Sequence, residues 1–208
     1  MKNRKIYQPT KKLQISDNIY KTSINGLYYI TCKKHNDERG FFSEVIKLKE
    51  LNQAIGFEFK PKQVNLSRSA TNVIRGMHAE GWNKLVTVIS GISFCALADI
   101  KPDSKTFKKV EYIKLSFDQT EQNDSDLYGA ALFVSKGIAN SICALKGPVN
   151  YTYLVDKYYC ERDKKDDQSI SIFDPDLKIK WPIAEKDMIL SKRDKKTVTL
   201  RELYPEKF

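Results

Sequence analysis

The stretch KLVTVISGISFCALADI, residues 84–100, decides the fold. Valine, isoleucine, threonine and phenylalanine fill it, and side chains of these types favour extended strands. Ser90 and Gly91 interrupt the pattern near its centre, and a glycine inside a strand-like run is typical of a tight turn. The stretch therefore predicts two strands that form a hairpin around Ser90-Gly91.

Further strand-like segments lie on both sides of this stretch, and turn residues separate them. These segments are 26–34, 59–69, 108–117, 129–137, 149–159 and 176–182. Many short strands at regular spacing favour a closed all-β sandwich or jelly roll. Helix signals are few. SEVIKLKELNQAIG (43–56) predicts a short amphipathic helix that ends at Gly56, and SKRDKKTVTLRELY (191–204) is a weaker candidate.

The length of the chain, 208 residues, is enough for one well-buried core. No internal repeat and no linker rich in proline or glycine divides it. We expect one jelly-roll domain at 25–194, a basic N-terminal arm at 1–24 and a C-terminal extension at 195–208. The sequence lacks both an apolar run of roughly eighteen residues and the apolar core of a secretory signal, so we expect a cytoplasmic protein with no membrane partner.

The formal net charge of +10 suggests an anionic partner. The lysines, however, lie in scattered pairs, and no recognition helix, zinc finger or RNA-binding aromatic motif accompanies them. We therefore expect no nucleic-acid partner. The four cysteines are widely spaced without a CxxC pair, which favours reduced, mostly packed thiols over zinc or redox sites.

Candidate chemistry concentrates in RGMHAEGWNK, residues 75–84, which holds one of only two histidines in the chain. Arg75 offers a planar fork of donors suited to phosphate oxygens, and His78 can accept a proton near neutral pH. Lys84 can stabilise an oxyanion as it forms. A plain structural interpretation stays open, in which His78 is a strand-end histidine with a satisfied hydrogen bond and Lys84 is a solvated cation.

A metal site is not predicted. His35 and His78 are far apart in the sequence, no HxH pair is present, and a transition-metal site in a cupin-type fold needs several histidines. The phosphate-binding and nucleophile motifs GxGxxG, GKS/GKT and GxSxG are also missing. Nucleotide hydrolysis and hydride transfer are therefore not predicted.

Seven motifs occur in a recognisable order along most of the chain, from about residue 25 to about 194. They are DERGFFSE (37–44), KQVNLSRSATNVIRGMH (62–78), NKLVTVISG (83–91), ADIKPDSKTF (98–107), FVSKGIANSI (133–142), YLVDKYY (153–159) and FDPDLKIKWP (173–182). Together they resemble the dTDP-4-dehydrorhamnose 3,5-epimerases and their relatives. The resemblance implies a double-stranded β-helix (a cupin-like jelly roll) with a few short helices. It also implies a homodimer that epimerises a nucleotide-linked 4-keto sugar without a cofactor.

The resemblance assigns four catalytic roles. His78 matches the family's base, Lys84 the cation that stabilises the enolate, and Tyr153 the acid that returns a proton. Asp174 matches the aspartate that orients the imidazole. Two structural alternatives stay open: Tyr153 packs as one of several strand aromatics, or Asp174, which precedes Pro175, starts a turn.

The resemblance also implies substrate contacts. Arg75 and Arg39 match residues that contact the diphosphate and the sugar, and Gln63 and Asn65 match residues lining the same pocket. Phe41 and Glu44 lie in the segment that reaches the nucleotide bound by the partner subunit, so the dimer would be functional as well as structural.

Three departures from the family pattern lie near the expected sugar site. The usual GFAHGF stretch reads GIANSI, so Asn140 replaces a histidine and is expected to contact the sugar. The loop after RGxH is short, and Glu80 replaces a common glutamine. Asn140, the NVIRGMH stretch and the short loop together resemble the corresponding features of relatives that epimerise GDP-6-deoxy-4-keto-heptoses. The identity of the sugar and of the nucleotide base therefore stays open.

Two other functions are compatible with this fold class. A sugar-nucleotide 3,4-ketoisomerase also shuttles protons, but its histidines are placed differently. A catalytically silent sugar-nucleotide-binding domain would need neither a base nor an acid. The leading prediction is an epimerase acting at C3, C5 or both.

Overall fold

The structure, a computed structural model, describes residues 5–117 and 128–208. The strands are β1 (Gln14–Ser16), β2 (Ile19–Lys21), β3 (Leu27–Cys32), β4 (Lys34–Asp37), β5 (Gly40–Ser43), β6 (Gln63–Ser69), β7 (Ile74–Ala79), β8 (Lys84–Asp99), β9 (Val110–Ser116), β10 (Tyr128–Val134), β11 (Ile138–Val155) and β12 (Gln168–Ser169). The helices are α1 (Leu48–Ile55) and α2 (Leu200–Leu203), with short 3₁₀ turns at Lys11–Leu13, Tyr159–Glu161, Lys164–Asp166, Glu185–Asp187 and Pro205–Lys207. The expected all-β fold class is confirmed.

Two long antiparallel strands, β8 and β11, organise the fold. In the main sheet the strand order is β1-β2-β3-β10-β8-β11-β7-β12, with β6 paired to β11 and β9 paired to β8. The first half of β8 pairs with β10 and the second half with β9, so β8 passes from one layer of the jelly roll to the other. Buried side chains of both halves, such as Val86 and Leu97, share one apolar core with Leu132 and Ile142.

The predicted hairpin around Ser90-Gly91 is wrong, because residues 84–99 form one continuous strand. Gly91 has a φ of 77° and lies at a shift in the pairing with β11. A β-carbon there would lie 2.6 Å from the carbonyl oxygen of Lys146 and 2.8 Å from that of Pro148. The glycine therefore marks a bulge where two backbones approach closely, and the strand continues in the same direction.

A helix forms within the predicted segment 43–56, and it ends at Gly56 as expected but begins later than predicted. Gly56 terminates α1 in the left-handed conformation with a φ of 81°, and its N–H bonds to the carbonyl oxygen of Asn52. The helix begins only at Leu48. The weaker C-terminal candidate contains α2, a single turn with a capping box between Thr199 and Glu202.

The predicted strand at 176–182 is also wrong, because this segment is an irregular loop that begins with a turn. The Asp174 carboxylate accepts the first N–H groups of the segment, and Lys178 adopts a positive φ of 47°. Leu177 and Trp181 still point into the core. The apolar residues that suggested a strand therefore anchor a loop instead.

The N-terminal residues lie against the sheet. Strand β1 pairs with β2, and β2 pairs with β3. Tyr7 is buried, its N–H donates to the Tyr112 carbonyl oxygen, and its hydroxyl donates to the Lys21 carbonyl oxygen at 2.8 Å. None of the four cysteines forms a disulfide, and only Cys160 is exposed, which confirms the prediction of mostly packed thiols. In the described part of the chain, no helix is both long and apolar enough to cross a membrane.

Candidate active site

One cavity of about 490 Å³ gathers most of the residues that the sequence singled out. Strands β6, β7, β8 and β11 supply one side of it, and loop residues 189–194 supply another. Register explains the assembly: Asn140 of β11 pairs with His78 of β7, and Tyr153 of β11 pairs with Asn65 of β6. One long strand therefore carries two site residues to two different neighbours.

His78 is hydrogen-bonded to Asp194, with 2.6 Å between Nε2 and Oδ1. The imidazole is about one-fifth exposed and the carboxylate is 5% exposed. Burial acts to raise the pKa of the Asp194 carboxyl, but hydrogen bonds from His78 and Ser191 outweigh it and hold that pKa below its usual value. A charged Asp194 accepts a hydrogen bond from Nε2–H of His78, which leaves Nδ1 of the ring as the proton acceptor.

The expected role of Asp174 is corrected by this geometry. Asp174 is buried, and its carboxylate accepts backbone N–H bonds from Asp176 at 2.9 Å, Leu177 at 2.8 Å and Leu200 at 2.6 Å. Its oxygens hold a turn and the start of α2, which is the structural alternative that the Asp-Pro sequence left open. Sequence reasoning missed Asp194, for which the only local signal is the turn formed by Ser191 and Asp194.

Lys84 lies in the cavity wall and not in solvent. Its ammonium contacts the Glu80 carboxylate, and the two side chains are 5% and 14% exposed. A buried cation needs such a partner, because an isolated charge in the interior is costly. The pair lines the same cavity as His78, and the sequence singled out Lys84 but not its ion pair with Glu80.

Two tyrosines of β11 share this cavity. Tyr153 and Tyr151 alternate with Thr152, so they point to the same side of the strand, and their ring centroids are 5.8 Å apart. The Tyr151 hydroxyl accepts a hydrogen bond from Nδ2 of Asn140 at 3.0 Å. Burial raises the pKa of Tyr153 above its ordinary value, and the Glu80 charge raises that pKa further. Tyr153 is therefore a neutral phenol at neutral pH.

The expected substrate-binding residues fall into two groups. Asn65, Arg75 and Asn140 line the cavity, and the Arg75 guanidinium is held by Ser69 Oγ at 2.9 Å. Gln63 does not line the cavity itself, but its Nε2 donates a hydrogen bond to Oδ1 of Asn65 at 2.6 Å.

The other three expected binding residues, Arg39, Phe41 and Glu44, do not line the cavity of their own chain. Arg39 and Phe41 belong to the β4–β5 hairpin, where Arg39 pairs with Asp37 at 2.6 Å and is 82% exposed. Half of Phe41 is exposed, and its ring stacks on Phe117.

Several cavity residues had not been singled out from the sequence. The Arg162 guanidinium lies 4.3 Å from the centroid of Tyr159 and 5.5 Å from that of Trp82, and its Nε is 2.6 Å from Asp167 Oδ2. Arg193 also lines the cavity and donates to Ser169 Oγ at 3.0 Å. These two arginines add positive charge to that of Arg75. Their segments are remote from β7 in sequence, so no local pattern indicates the site.

The short loop after His78 is fixed by packing. A β-carbon on Gly81 would lie 2.4 Å from that of Asp166, so the loop touches the 164–166 turn directly and only glycine fits. Within residues 5–117 and 128–208, no group of three or more His, Cys, Asp or Glu side chains is arranged to hold a metal ion.

Comparison with known proteins identifies the family. The model of the dTDP-4-dehydrorhamnose 3,5-epimerase family matches residues 21–202. The dTDP-4-dehydrorhamnose 3,5-epimerase of Escherichia coli K12 is 30% identical over 89% of this chain and 96% of its own length. The dTDP-4-dehydrorhamnose 3-epimerase of Streptomyces niveus is 30% identical over 86% of this chain and 82% of its own.

Solved structures agree with the sequence comparison. The Legionella pneumophila dTDP-6-deoxy-D-glucose-3,5-epimerase, in complex with dTDP-4-keto-L-rhamnose, superposes with a TM-score of 0.78 at 30% identity and covers 92% of this chain and 96% of its own. A 4-keto-6-deoxy sugar epimerase from the novobiocin cluster of Streptomyces spheroides gives a TM-score of 0.79 at 28% identity, over 90% and 89% of the two chains. The fold is therefore the expected cupin-like jelly roll. With a family match that spans most of its length, the chain belongs to the dTDP-4-dehydrorhamnose 3,5-epimerase family and is an isomerase.

Proposed function

We propose that this protein is a cofactor-independent epimerase that inverts C3, C5 or both in a nucleotide-linked 4-keto-6-deoxy sugar. The observation that carries the proposal is the shared cavity. It holds a histidine paired with a buried carboxylate, a buried lysine and a tyrosine of raised pKa. This set can remove a proton, stabilise the resulting anion and return a proton.

The reaction follows from the chemistry of a 4-keto sugar. The ketone acidifies the C–H bonds at C3 and C5, because the electron pair left behind delocalises onto the carbonyl oxygen as an enolate. His78 takes the proton through Nδ1, and the Lys84 ammonium stabilises the enolate oxygen. Tyr153 then donates its phenolic proton to the carbon from the other side. The proton on His78 leaves to solvent and Tyr153 regains one from solvent, which restores both groups.

The charge of the cavity supports a nucleotide-linked substrate. Arg75, Arg162 and Arg193 all line it. Guanidinium groups bind phosphate oxygens through paired hydrogen bonds. A diphosphate group is therefore the substrate part that these three residues suit.

The test is proton exchange with solvent. In D₂O, with dTDP- or GDP-linked 4-keto-6-deoxy sugars, we expect deuterium at C3 or C5 of the sugar, detected by mass spectrometry and NMR. The matched control is the same nucleotide linked to a sugar with a hydroxyl at C4, which has no acidified C–H bond and should not exchange. Measurable binding of the keto sugars with no exchange in any of them would instead identify a silent binding domain.

The same proposal includes a homodimer in which each chain completes the cavity of the other. Support comes from the β4–β5 hairpin, where Phe41 and Phe42 are 51% and 66% exposed, and from the family resemblance, which implies that the segment with Phe41 reaches the nucleotide bound by the partner subunit. Strand β6 adds a second exposed apolar area with Val64 and Leu66. Large exposed apolar side chains that cluster in this way mark interaction surfaces.

Complementation between two inactive variants tests the shared site. His78→Asn removes the proposed base from a chain's own cavity, and Phe41→Ala removes the side chain that this chain would contribute to its partner's cavity. Each homodimer should therefore be inactive. Coexpression would form mixed dimers with one intact site, and we expect about one quarter of the wild-type activity. A monomeric mass by light scattering, or coexpressed chains that show no recovery, would contradict the shared site.

A further inference from the structure

Glu80, in the short loop after His78, forms an ion pair with Lys84 at the start of strand β8. Its carboxylate contacts the Lys84 ammonium, and the two groups belong to residues four apart in sequence. Both side chains are largely buried and both line the cavity. The loop cannot relax easily, because Gly81 packs directly against Asp166.

The surroundings of Glu80 contain groups of both signs. The titratable and charged side chains that line the cavity with it are Arg75, His78, Lys84, Tyr151, Tyr153, Tyr159, Arg162, Arg193 and Asp194. Asp167, which forms an ion pair with Arg162, does not line the cavity, but the Glu80 charge contributes to raising its pKa. Glu80 is therefore positioned to balance arginines that would otherwise dominate the cavity.

We propose that Glu80 is a positioning residue of the epimerase reaction, whose carboxylate fixes the Lys84 ammonium and places one negative charge in the cavity that also holds the proton-donating Tyr153. The inference rests on the proposed function, since it gives Lys84 and Tyr153 their catalytic tasks. It adds a residue whose role is to hold one catalytic group and to favour the protonated form of another.

The consequence for Tyr153 has a definite sign. Burial raises the pKa of Tyr153 most, Glu80 raises it further, and Arg75 and Arg162 lower it. Without the Glu80 charge, burial and Tyr159 still raise the pKa of Tyr153, but they offset less of the lowering by Arg75 and Arg162, so that pKa falls. Tyr153 works in its protonated form, and activity is therefore lost as pH rises through that pKa. Removal of the charge moves this loss to lower pH.

Titration of the free protein tests the charge placement without a substrate. With ¹³C-labelled tyrosine rings, the Tyr153 signal is identified as the one missing in Tyr153→Phe. In Glu80→Gln we expect its titration midpoint to fall by roughly half a pH unit or more, about a threefold change in the ionisation constant. Glu80→Asp keeps the charge and should retain the wild-type midpoint.

A control variant and a kinetic readout complete the experiment. Glu161→Gln removes a half-exposed carboxylate that pairs with Lys62 at 3.7 Å, and it should leave both the Tyr153 midpoint and the activity unchanged. In Glu80→Gln the alkaline limb of kcat should move to lower pH together with the midpoint.

An unchanged midpoint and an unchanged alkaline limb in Glu80→Gln would overturn the inference. A shifted midpoint in a protein that epimerises no keto sugar would refute the proposed function and Glu80's role in it, while the charge placement would stand. The two failures are thus distinguishable.

Discussion

His78→Asn is expected to lower deuterium exchange at C3 and C5 by about 10² to 10⁴, the range for loss of a positioned acid–base group. Asparagine is similar in size and polarity to histidine but cannot take a proton near neutral pH. The cavity should keep its shape, because His78 contributes one hydrogen bond at its wall and belongs to a strand held by β11 and β12. The measurement is the exchange rate of a 4-keto sugar in D₂O, followed by NMR.

Binding provides the control for this variant. The dissociation constant of the nucleotide sugar, measured by calorimetry, should change little, because Arg75, Arg162 and Arg193 are untouched. Glu161→Gln is the control substitution, since Glu161 is half-exposed, pairs with Lys62 and does not line the cavity. Exchange in His78→Asn at the wild-type rate would show that another group is the base.

Asp194→Asn is expected to reduce kcat by about 10² to 10⁴, because the amide no longer stabilises the charged imidazole and favours the wrong tautomer. In the native protein the carboxylate accepts from Nε2 of His78 and leaves Nδ1 free. An asparagine at this position can donate its amide N–H to the ring, and His78 would then present the wrong nitrogen to the sugar. The readout is kcat for epimerisation, with thermal unfolding measured in parallel.

Asp174→Asn is the matched control for Asp194→Asn and should behave in the opposite way. Its carboxylate accepts three backbone N–H groups, and an amide nitrogen facing the Leu200 N–H would leave that donor unpaired. A buried unpaired donor costs about 1–3 kcal/mol. We expect a lower melting temperature and a near wild-type kcat in the folded fraction. A large loss of kcat at unchanged stability would reinstate Asp174 as the residue that orients His78.

The contrast between Asp174 and Asp194 shows which residues of the site can be predicted from sequence patterns. His78 and Lys84 lie six residues apart in one motif, and the two-residue period of a strand brings Tyr151 and Tyr153 to the same side. Such local relations were predictable. Asp194 is separated from His78 by 116 residues, and no motif links them. The family resemblance implied a carboxylate in the C-terminal motifs, and the FDPD motif indicated Asp174 and not Asp194.

The sequence alone determined the fold class, the end of α1 at Gly56 and the presence of an imidazole, an ammonium and a phenol in one jelly roll. The first two depend on strand propensity and on glycine's access to positive φ, and the pairing of His78 with Lys84 depends on a short spacing, all of which are local. The phenol of Tyr153 follows from the order of the family motifs along the chain. Only the tertiary structure decided that Gly91 continues a strand, that Asp194 holds His78 and that Arg162 and Arg193 enter the cavity. Each of these depends on backbones or side chains that meet only after distant segments pack together, and no local spacing encodes such a meeting.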